Sequence, residues 1–150
     1  MEAHQLQLTI ADIVDEAHDT HHPTSPRASI TRTSSPKPRR RAADFIANRI
    51  PKYLRLLRAD PRTQPAGAPA SSASRVSCCD LSLFQLVAGL RYAPSRGRWE
   101  HWRLRFPRVG ALHEASPHGP PRAACLQSPR RIAFNEHGIF RHYPELDAAH

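Results

Sequence analysis

The residues best suited to binding chemistry lie in the stretch RGRWEHWRLRF, residues 96–106, which interleaves arginines with aromatic side chains. Arginine neutralises phosphates, and an exposed aromatic ring gives a base a surface to stack on, worth about 1–3 kcal/mol per base. This pattern predicts a nucleic-acid-binding surface that contacts phosphates and stacks a base on one ring. The residues assigned to it are Arg96, Arg98, Trp99, Arg103 and Arg105.

Whether the aromatic rings are exposed depends on the element that carries them. In a half-buried strand, Trp102, Leu104 and Phe106 alternate towards a core while the arginines face solvent. We expect the side chains of Trp102 and Phe106 to be buried in the core. Trp99 lies outside the alternation, so both a buried and an exposed position stay open for it.

A second basic cluster is KPRRR at residues 37–41. Three interpretations stay open: a solvated linker, an arm that contacts a polyanion, or a nuclear-import signal in a eukaryotic protein. The nucleic-acid hypothesis adds Arg39, Arg40 and Arg41 to the binding surface. DNA or RNA is thus the predicted partner, and the pattern favours neither.

Cysteines and histidines form an incomplete metal site. Cys125, His137 and His142 are separated by 11 and 4 residues, close to the second half of a two-Cys two-His zinc finger. The first cysteine of such a finger would fall near residues 120–122, where there is none. The cysteine pair at 78–79 would have to reach the site from a distance, so we predict no bound metal.

Residues 15–18, DEAH, match the magnesium-holding motif of DEAH-type helicases. That chemistry needs an upstream glycine-rich loop with Lys and Ser or Thr to cradle the phosphates, and the sequence has none. No catalytic triad or Cys and His pair stands in a recognisable context either. The sequence therefore predicts a non-catalytic protein without a cofactor.

Composition limits the size of any core. Leu, Ile, Val and Phe make only 29 of 150 residues, and the net charge is +9, a combination typical of chains with extensive disorder. Residues 1–26 carry a charge of −5, residues 27–62 carry +9 and residues 63–150 carry +5. An acidic head before a basic body favours a polyanionic partner.

The arginine content also has an alternative explanation. Only two of the 22 basic residues are lysines, and Ala, Arg, Pro and Gly together make 62 residues, which is typical of a GC-rich gene. Coding bias alone supplies arginine in such a gene. A reading frame with no selected function therefore stays open.

Cysteine usage and the N-terminal residues bear on the compartment. Three cysteines cannot complete an even set of disulfides, and the first residues lack the basic and apolar runs of a secretory signal. No apolar run reaches the roughly 18 residues that a membrane span needs. We expect a cytoplasmic protein, or a nuclear one if the source is eukaryotic, and the pattern sets no oligomeric state.

Two helices are predicted in the first half of the chain. Residues 9–18 have helical apolar spacing and lie in an acidic head, residues 1–19, which a disordered basic linker follows at 20–41. Residues 42–59 are predicted as a basic amphipathic helix that Pro51 either kinks or divides. As an alternative to nucleic-acid binding, its apolar stripe folds into the groove of a protein partner.

The second half is predicted as a small module at residues 77–143, after a linker at 60–76 and before a tail at 144–150. A strongly apolar helix begins at Asp80 and stops before Pro94. The predicted strands are 99–106 with 111–113, and 132–134 with 139–141, joined by a Pro-rich loop at 116–130. The expected fold class is α+β, a small helix plus β-hairpin module with extensive disordered Pro/Ser/Arg-rich segments.

Short motifs follow one another between residues 81 and 119. They are an apolar helix ending in AGL at 88–90, WEHWRL at 99–104, GAL at 110–112 and SPHG at 116–119. In this order they resemble a small family of phage and prophage proteins of uncharacterised function. The resemblance implies a phage-associated cytoplasmic protein and brings no active site.

Overall fold

The structure, a computed structural model, describes residues 3–21, 36–59, 78–93, 96–115, 120–135 and 137–141. Most of the predicted linkers and the tail at 144–150 lie outside the described residues. The helices are α1 (Ala3–His21), α2 (Pro36–Asp44), a π-helical turn (Phe45–Arg49), α3 (Ile50–Ala59), α4 (Cys78–Tyr92), α5 (Arg96–Arg105), α6 (Pro107–Ala115) and α7 (Pro120–Gln127).

Helices make up most of the described residues, and none of these residues forms a strand. The predicted α+β class is therefore wrong, and the fold is α-helical. No helix among the described residues is both long and apolar enough to span a bilayer.

α1 follows from one stripe of apolar residues at helical spacing. The helix predicted at 9–18 is confirmed and extends in both directions. It reaches back to Ala3 because Leu6 belongs to the same stripe, whereas Leu8, off the stripe, is 53% exposed. The buried stripe residues are Leu6, Ile10, Ile13 and Ala17.

The basic amphipathic helix is longer than predicted and contains the π-helical turn. α2, this turn and α3 follow one another from Pro36 to Ala59, so residues 36–41 of the predicted disordered linker are helical. Pro51 explains the turn, because proline has no N–H and its ring collides with the carbonyl four residues earlier in a regular α-helix. The wider turn, in which the Ile50 N–H donates to the Phe45 carbonyl, relieves that collision.

One core joins α1, the π-helical turn, α3, α4 and α5. The apolar stripe of the 42–59 helix faces this core and is therefore not exposed to a partner protein's groove. Its buried members are Phe45, Ile46, Ile50, Leu54 and Leu57.

An ion pair fixes α1 to the π-helical turn. Arg49 Nε lies 3.0 Å from each Glu16 carboxylate oxygen, and Arg49 Nη2 also contacts Oε1. Glu16, the second residue of the DEAH motif, thus holds two helices together.

Residues 99–106, predicted as a strand, form α5 and its link to α6. Trp99, Trp102 and Phe106 are three and four residues apart, which places them on one face of a helix, and all three are buried. Leu104, which a strand would bury beside Trp102, is 75% exposed. The helical period therefore prevails over the alternation.

Two further helices lie where a strand and a loop were predicted. Residues 111–113 belong to α6, and the Pro-rich loop at 116–130 contains α7. Each helix begins at a proline, Pro107 and Pro120. The first N–H groups of a helix have no acceptor within it, so a proline at this position costs no hydrogen bond. Proline therefore starts these helices, and Pro120 does so inside the segment that was predicted as a Pro-rich loop.

The chain after α7, called here the α7 extension (residues 128–135 and 137–141), replaces the second predicted hairpin. Only the turn of that hairpin is present: Asn135 Oδ1 accepts from the His137 N–H at 2.9 Å, and the Gly138 N–H donates to the Asn135 carbonyl at 3.2 Å. Instead of pairing as strands, the extension packs two aromatic rings against α4, with Phe134 stacked on Tyr92 at 5.3 Å between centroids.

Candidate binding groove

The predicted nucleic-acid residues fall on two helices. Arg39, Arg40 and Arg41 lie on α2, and the others lie on α5, where nothing is described of the Arg96 side chain. Arg98 is half-buried, and Arg105 lies over the ring of Phe106 at 5.8 Å.

Trp99 is not available as a stacking surface. Its side chain is only 4% exposed, and the Arg91 guanidinium lies 5.9 Å from its ring centroid. Two of the assigned arginines are also paired within the chain, Arg103 with Glu100 at 2.8 Å and Arg41 with Asp19 at 3.3 Å. The Arg103 pair lies within α5, and the Arg41 pair joins α2 to α1.

The zinc-finger pattern is not assembled in the described part of the chain. Cys125 and His137 are exposed, and His142 lies outside the described residues. No group of three or more His, Cys, Asp or Glu side chains among the described residues is placed to hold a metal ion.

An open groove of about 630 Å³ lies between α1, α4 and the α7 extension. Its lining residues come from three separate parts of the chain. They are Gln7, Ile10, Ala11, Val14 and Asp15 of α1, Leu81, Ser82, Gln85 and Leu86 of α4, and Ile132, Ala133, Phe134, Asn135, Gly138, Ile139 and Phe140 of the extension.

The groove has an apolar character. Among the described residues, three of the six exposed large apolar side chains line it: Leu81, Ile132 and Ile139. Asp15 is the only ionisable side chain among the described residues of the lining. Exposed apolar side chains gathered in one concave surface are typical of a small-molecule binding site.

Two contacts hold the groove's walls together. Gln7 Nε2 donates to Ser82 Oγ at 3.0 Å and so joins α1 to α4. On the other wall, the Phe140 ring lies on Gly89 so closely that a Cβ atom at position 89 would overlap it. Phe134 meets Phe140 edge to face at 6.0 Å, so both rings anchor the α7 extension to α4.

A second cluster surrounds Phe84 on α4. The His113 ring of α6 stacks on Phe84 at 4.7 Å, and the Arg131 guanidinium lies 5.8 Å from the centroid of the same ring. Arg91 Nη1 donates to His113 Nδ1 at 3.1 Å. Burial, and then the charge of Arg91, lower the pKa of His113 from 6.5 to about 4, with Arg131 contributing in the same direction and Glu114 opposing it.

This pKa predicts a pH-dependent stability. The unfolded chain binds the His113 proton at a higher pH than the folded chain, so stability is complete above about pH 6.5 and falls as the pH drops towards about 4. Because His113 is only half-buried, we expect solvent screening to limit the loss to about 1–2 kcal/mol. Urea unfolding between these pH values measures how the free energy of unfolding depends on pH. His113→Gln should remove the part of this dependence that comes from His113. Parallel pH dependences for the unmodified protein and the variant would contradict the prediction.

Sequence reasoning missed the groove. Its α1 side was predicted as a helix, but the α7 extension was assigned to a hairpin. One available signal was the pair of isoleucines, Ile132 and Ile139, in a region too polar to bury them.

A family model described as "Glutathione S-transferase, C-terminal domain" matches residues 18–121. No curated protein matches the sequence. The matched range covers more than half of the chain, and a helical domain agrees with the fold described above.

This match corrects several predictions. The resemblance to phage proteins is wrong, because the family model that matches is a different one. The two tryptophans of the WEHWRL motif lie on the buried face of a helix and not in a strand. The nucleic-acid-binding function and its alternatives, a partner-folding factor and a reading frame without function, are overturned, as is the prediction of a non-enzyme.

Proposed function

Since this chain belongs to the glutathione S-transferase C-terminal domain family, we propose that it has a glutathione-transferase-like function and binds an apolar acceptor of glutathione in the groove between α1, α4 and the α7 extension. The apolar lining of the groove is the observation that carries this proposal. Its volume, about 630 Å³, suits a small molecule.

Charge distinguishes the acceptor from glutathione as the occupant. Glutathione is an anionic peptide, and the only ionisable side chain in the described lining is the acidic Asp15. Like charges repel, and Leu81, Ile132 and Ile139 offer apolar contact to a ligand. The groove therefore favours the apolar acceptor over the peptide.

The proposed contribution of this chain is to hold the acceptor. In the transfer, glutathione loses its thiol proton to solvent, and its sulfur forms a bond to an electrophilic carbon of the acceptor. The bond between that carbon and a leaving group breaks, and the leaving group departs with the electron pair. Fixing the carbon in one place lowers the entropic part of the barrier. The described residues supply burial of the acceptor's apolar part, while the open mouth of the groove leaves the acceptor accessible to the thiol.

The cytoplasm is the proposed compartment. A glutathione-dependent function requires reduced glutathione, which the cytosol maintains. The exposed Cys78 and Cys125 are thiols that form no disulfide in the structure, as a reducing compartment implies.

A series of S-alkylglutathiones tests the proposal on the full chain. Each methylene that enters the groove adds up to about 0.8 kcal/mol of burial, so we expect affinity to rise about two- to fourfold per added carbon until the groove is filled. Isothermal titration with S-methyl to S-hexyl compounds measures the slope. Equal affinity along the series would refute acceptor binding in the groove.

A pair of charge-matched variants locates the binding. Ile132→Asp, at the exposed edge of the groove, should weaken S-hexylglutathione binding about tenfold, because it removes apolar contact and adds a negative charge. Leu104→Asp makes the same change on α5, away from the groove, and should leave the affinity unchanged. An equal loss in both variants would show that the ligand binds elsewhere.

A further inference from the structure

We propose a second binding site, for a small oxyanion, formed by Arg91 of α4, His113 of α6 and Arg131 of the α7 extension around the Phe84 ring. None of these residues lines the apolar groove, so the site goes beyond acceptor binding. The ligand class is a doubly charged anion that carries either phosphate-type or carboxylate oxygens.

Two polar side chains contact the Phe84 ring, and the third contacts one of them. His113 stacks on Phe84 at an interplanar angle of 9°, and the Arg131 guanidinium lies 5.8 Å from the same ring's centroid. Arg91 reaches His113 at 3.1 Å and is itself held over Trp99. Three separate parts of the chain thus contribute to one continuous set of contacts, from Arg91 through His113 and Phe84 to Arg131, and the charge of Arg131 acts on His113.

The charge of the cluster is uncompensated. Within the described part of the chain, neither Arg91 nor Arg131 forms an ion pair with a carboxylate, whereas Arg41, Arg49 and Arg103 each do. Among the described residues, the exposed Glu114 of α6 is the one acidic group that acts on His113, and it opposes two guanidinium charges. The cluster therefore keeps a net positive charge when His113 is neutral.

Hydrogen-bond donors remain free for a ligand. Because Arg91 donates to His113 Nδ1, the neutral imidazole carries its proton on Nε2, which is a donor. A guanidinium has five N–H donors, so Arg91 retains several after this bond. Two guanidinium groups and one imidazole N–H suit an anion that accepts several hydrogen bonds at once.

Sulfate and malonate, each doubly charged at neutral pH, are the probes. NMR signals of the His113 ring are followed in the full chain at constant ionic strength while either anion is added. We expect chemical shift changes that saturate. The anion that binds with the higher affinity, sulfate or malonate, indicates whether the site prefers phosphate-type or carboxylate ligands. Sulfate keeps its charge at lower pH, and its binding should raise the pKa of His113 above about 4, because a bound anion stabilises the imidazolium.

Charge-matched variants decide between a site and general screening. Arg131→Gln should weaken the affinity about tenfold, because it removes charge-assisted hydrogen bonds, and Arg91→Gln, whose folding is verified by thermal unfolding, should do the same. Arg55→Gln removes one exposed positive charge from α3 and should change the affinity less than twofold. The proposal is overturned if His113 does not respond to either anion, or if Arg55→Gln weakens binding as much as Arg131→Gln. S-alkylglutathione binding stays unchanged in Arg131→Gln, which separates this test from that of the groove.

Discussion

Gly89→Ala is expected to destabilise the protein although alanine is the better helix former. A Cβ atom at position 89 overlaps the Phe140 ring, which is 95% buried against α4, so the ring has to leave its place. Losing the burial of a Phe ring costs about 3 kcal/mol, whereas Gly to Ala in a helix interior contributes about 1 kcal/mol of stability. The packing loss is larger, and the net destabilisation should be about 2 kcal/mol.

A double-mutant cycle isolates this contact. Phe140→Ala alone should destabilise by about 3 kcal/mol, and in that background Gly89→Ala should become stabilising by about 1 kcal/mol, because nothing remains for the Cβ to meet. Urea unfolding of the four proteins gives the coupling free energy between positions 89 and 140. A Gly89→Ala effect of the same sign in both backgrounds would show that Phe140 does not lie on α4 in solution.

The same variant links stability to the groove. Phe134 and Phe140 both line the groove and anchor the α7 extension, and a displaced Phe140 releases that wall. Gly89→Ala should therefore also flatten the dependence of S-alkylglutathione affinity on chain length. Position 89 itself is not in the lining, so this effect would come from the displacement of Phe140, which is.

The helices whose apolar stripe is complete were predictable from sequence. α1 and α4 each bury one continuous face, and α4 ends just before Pro94 as expected. Its start differs, because α4 begins at Cys78. Asp80 lies in the first turn, where the negative charge of a carboxylate interacts favourably with the helix dipole. Local periodicity and proline chemistry are sufficient for such elements.

The groove depends on contacts that no local pattern reports. Phe140 packs on Gly89, 51 residues earlier in the chain, and Gln7 meets Ser82 across 75 residues. In a sequence alone, a small glycine and a distant phenylalanine give no sign that they fit together. The candidate site was therefore not predictable, although the helices that form two of its three walls were predicted.

Charge misled the functional prediction for a physical reason. The acidic head and the basic body were taken as a sign of a polyanionic partner, which stays a prediction. In the structure two acids of the head pair with two arginines of the body: Glu16 binds Arg49, and Asp19 binds Arg41. The asymmetry along the sequence becomes partial neutralisation in the fold. A net charge alone carries no information on which basic residues are already paired.

The region of residues 99–106 contained both a helical and a strand period, and Trp102 with Leu104 discriminates between them. In the helix α5, Trp102 is 4% exposed and Leu104 is 75% exposed, whereas a half-buried strand would place both on the core side. Trp102→Ala should lose about 3–5 kcal/mol of unfolding free energy, since it empties a large buried volume. Leu104→Ala should change it by less than about 0.5 kcal/mol.

Urea unfolding of the two variants compares these losses directly. Since both substitutions truncate an apolar side chain to alanine within three residues of each other, effects of the unfolded state largely cancel in the comparison. A large loss for Leu104→Ala, similar to that for Trp102→Ala, would restore the strand and contradict α5. A loss confined to Trp102→Ala would show that Trp102 lies on the buried face of α5. The same face buries Trp99, whose ring lies under the Arg91 guanidinium of the proposed anion site.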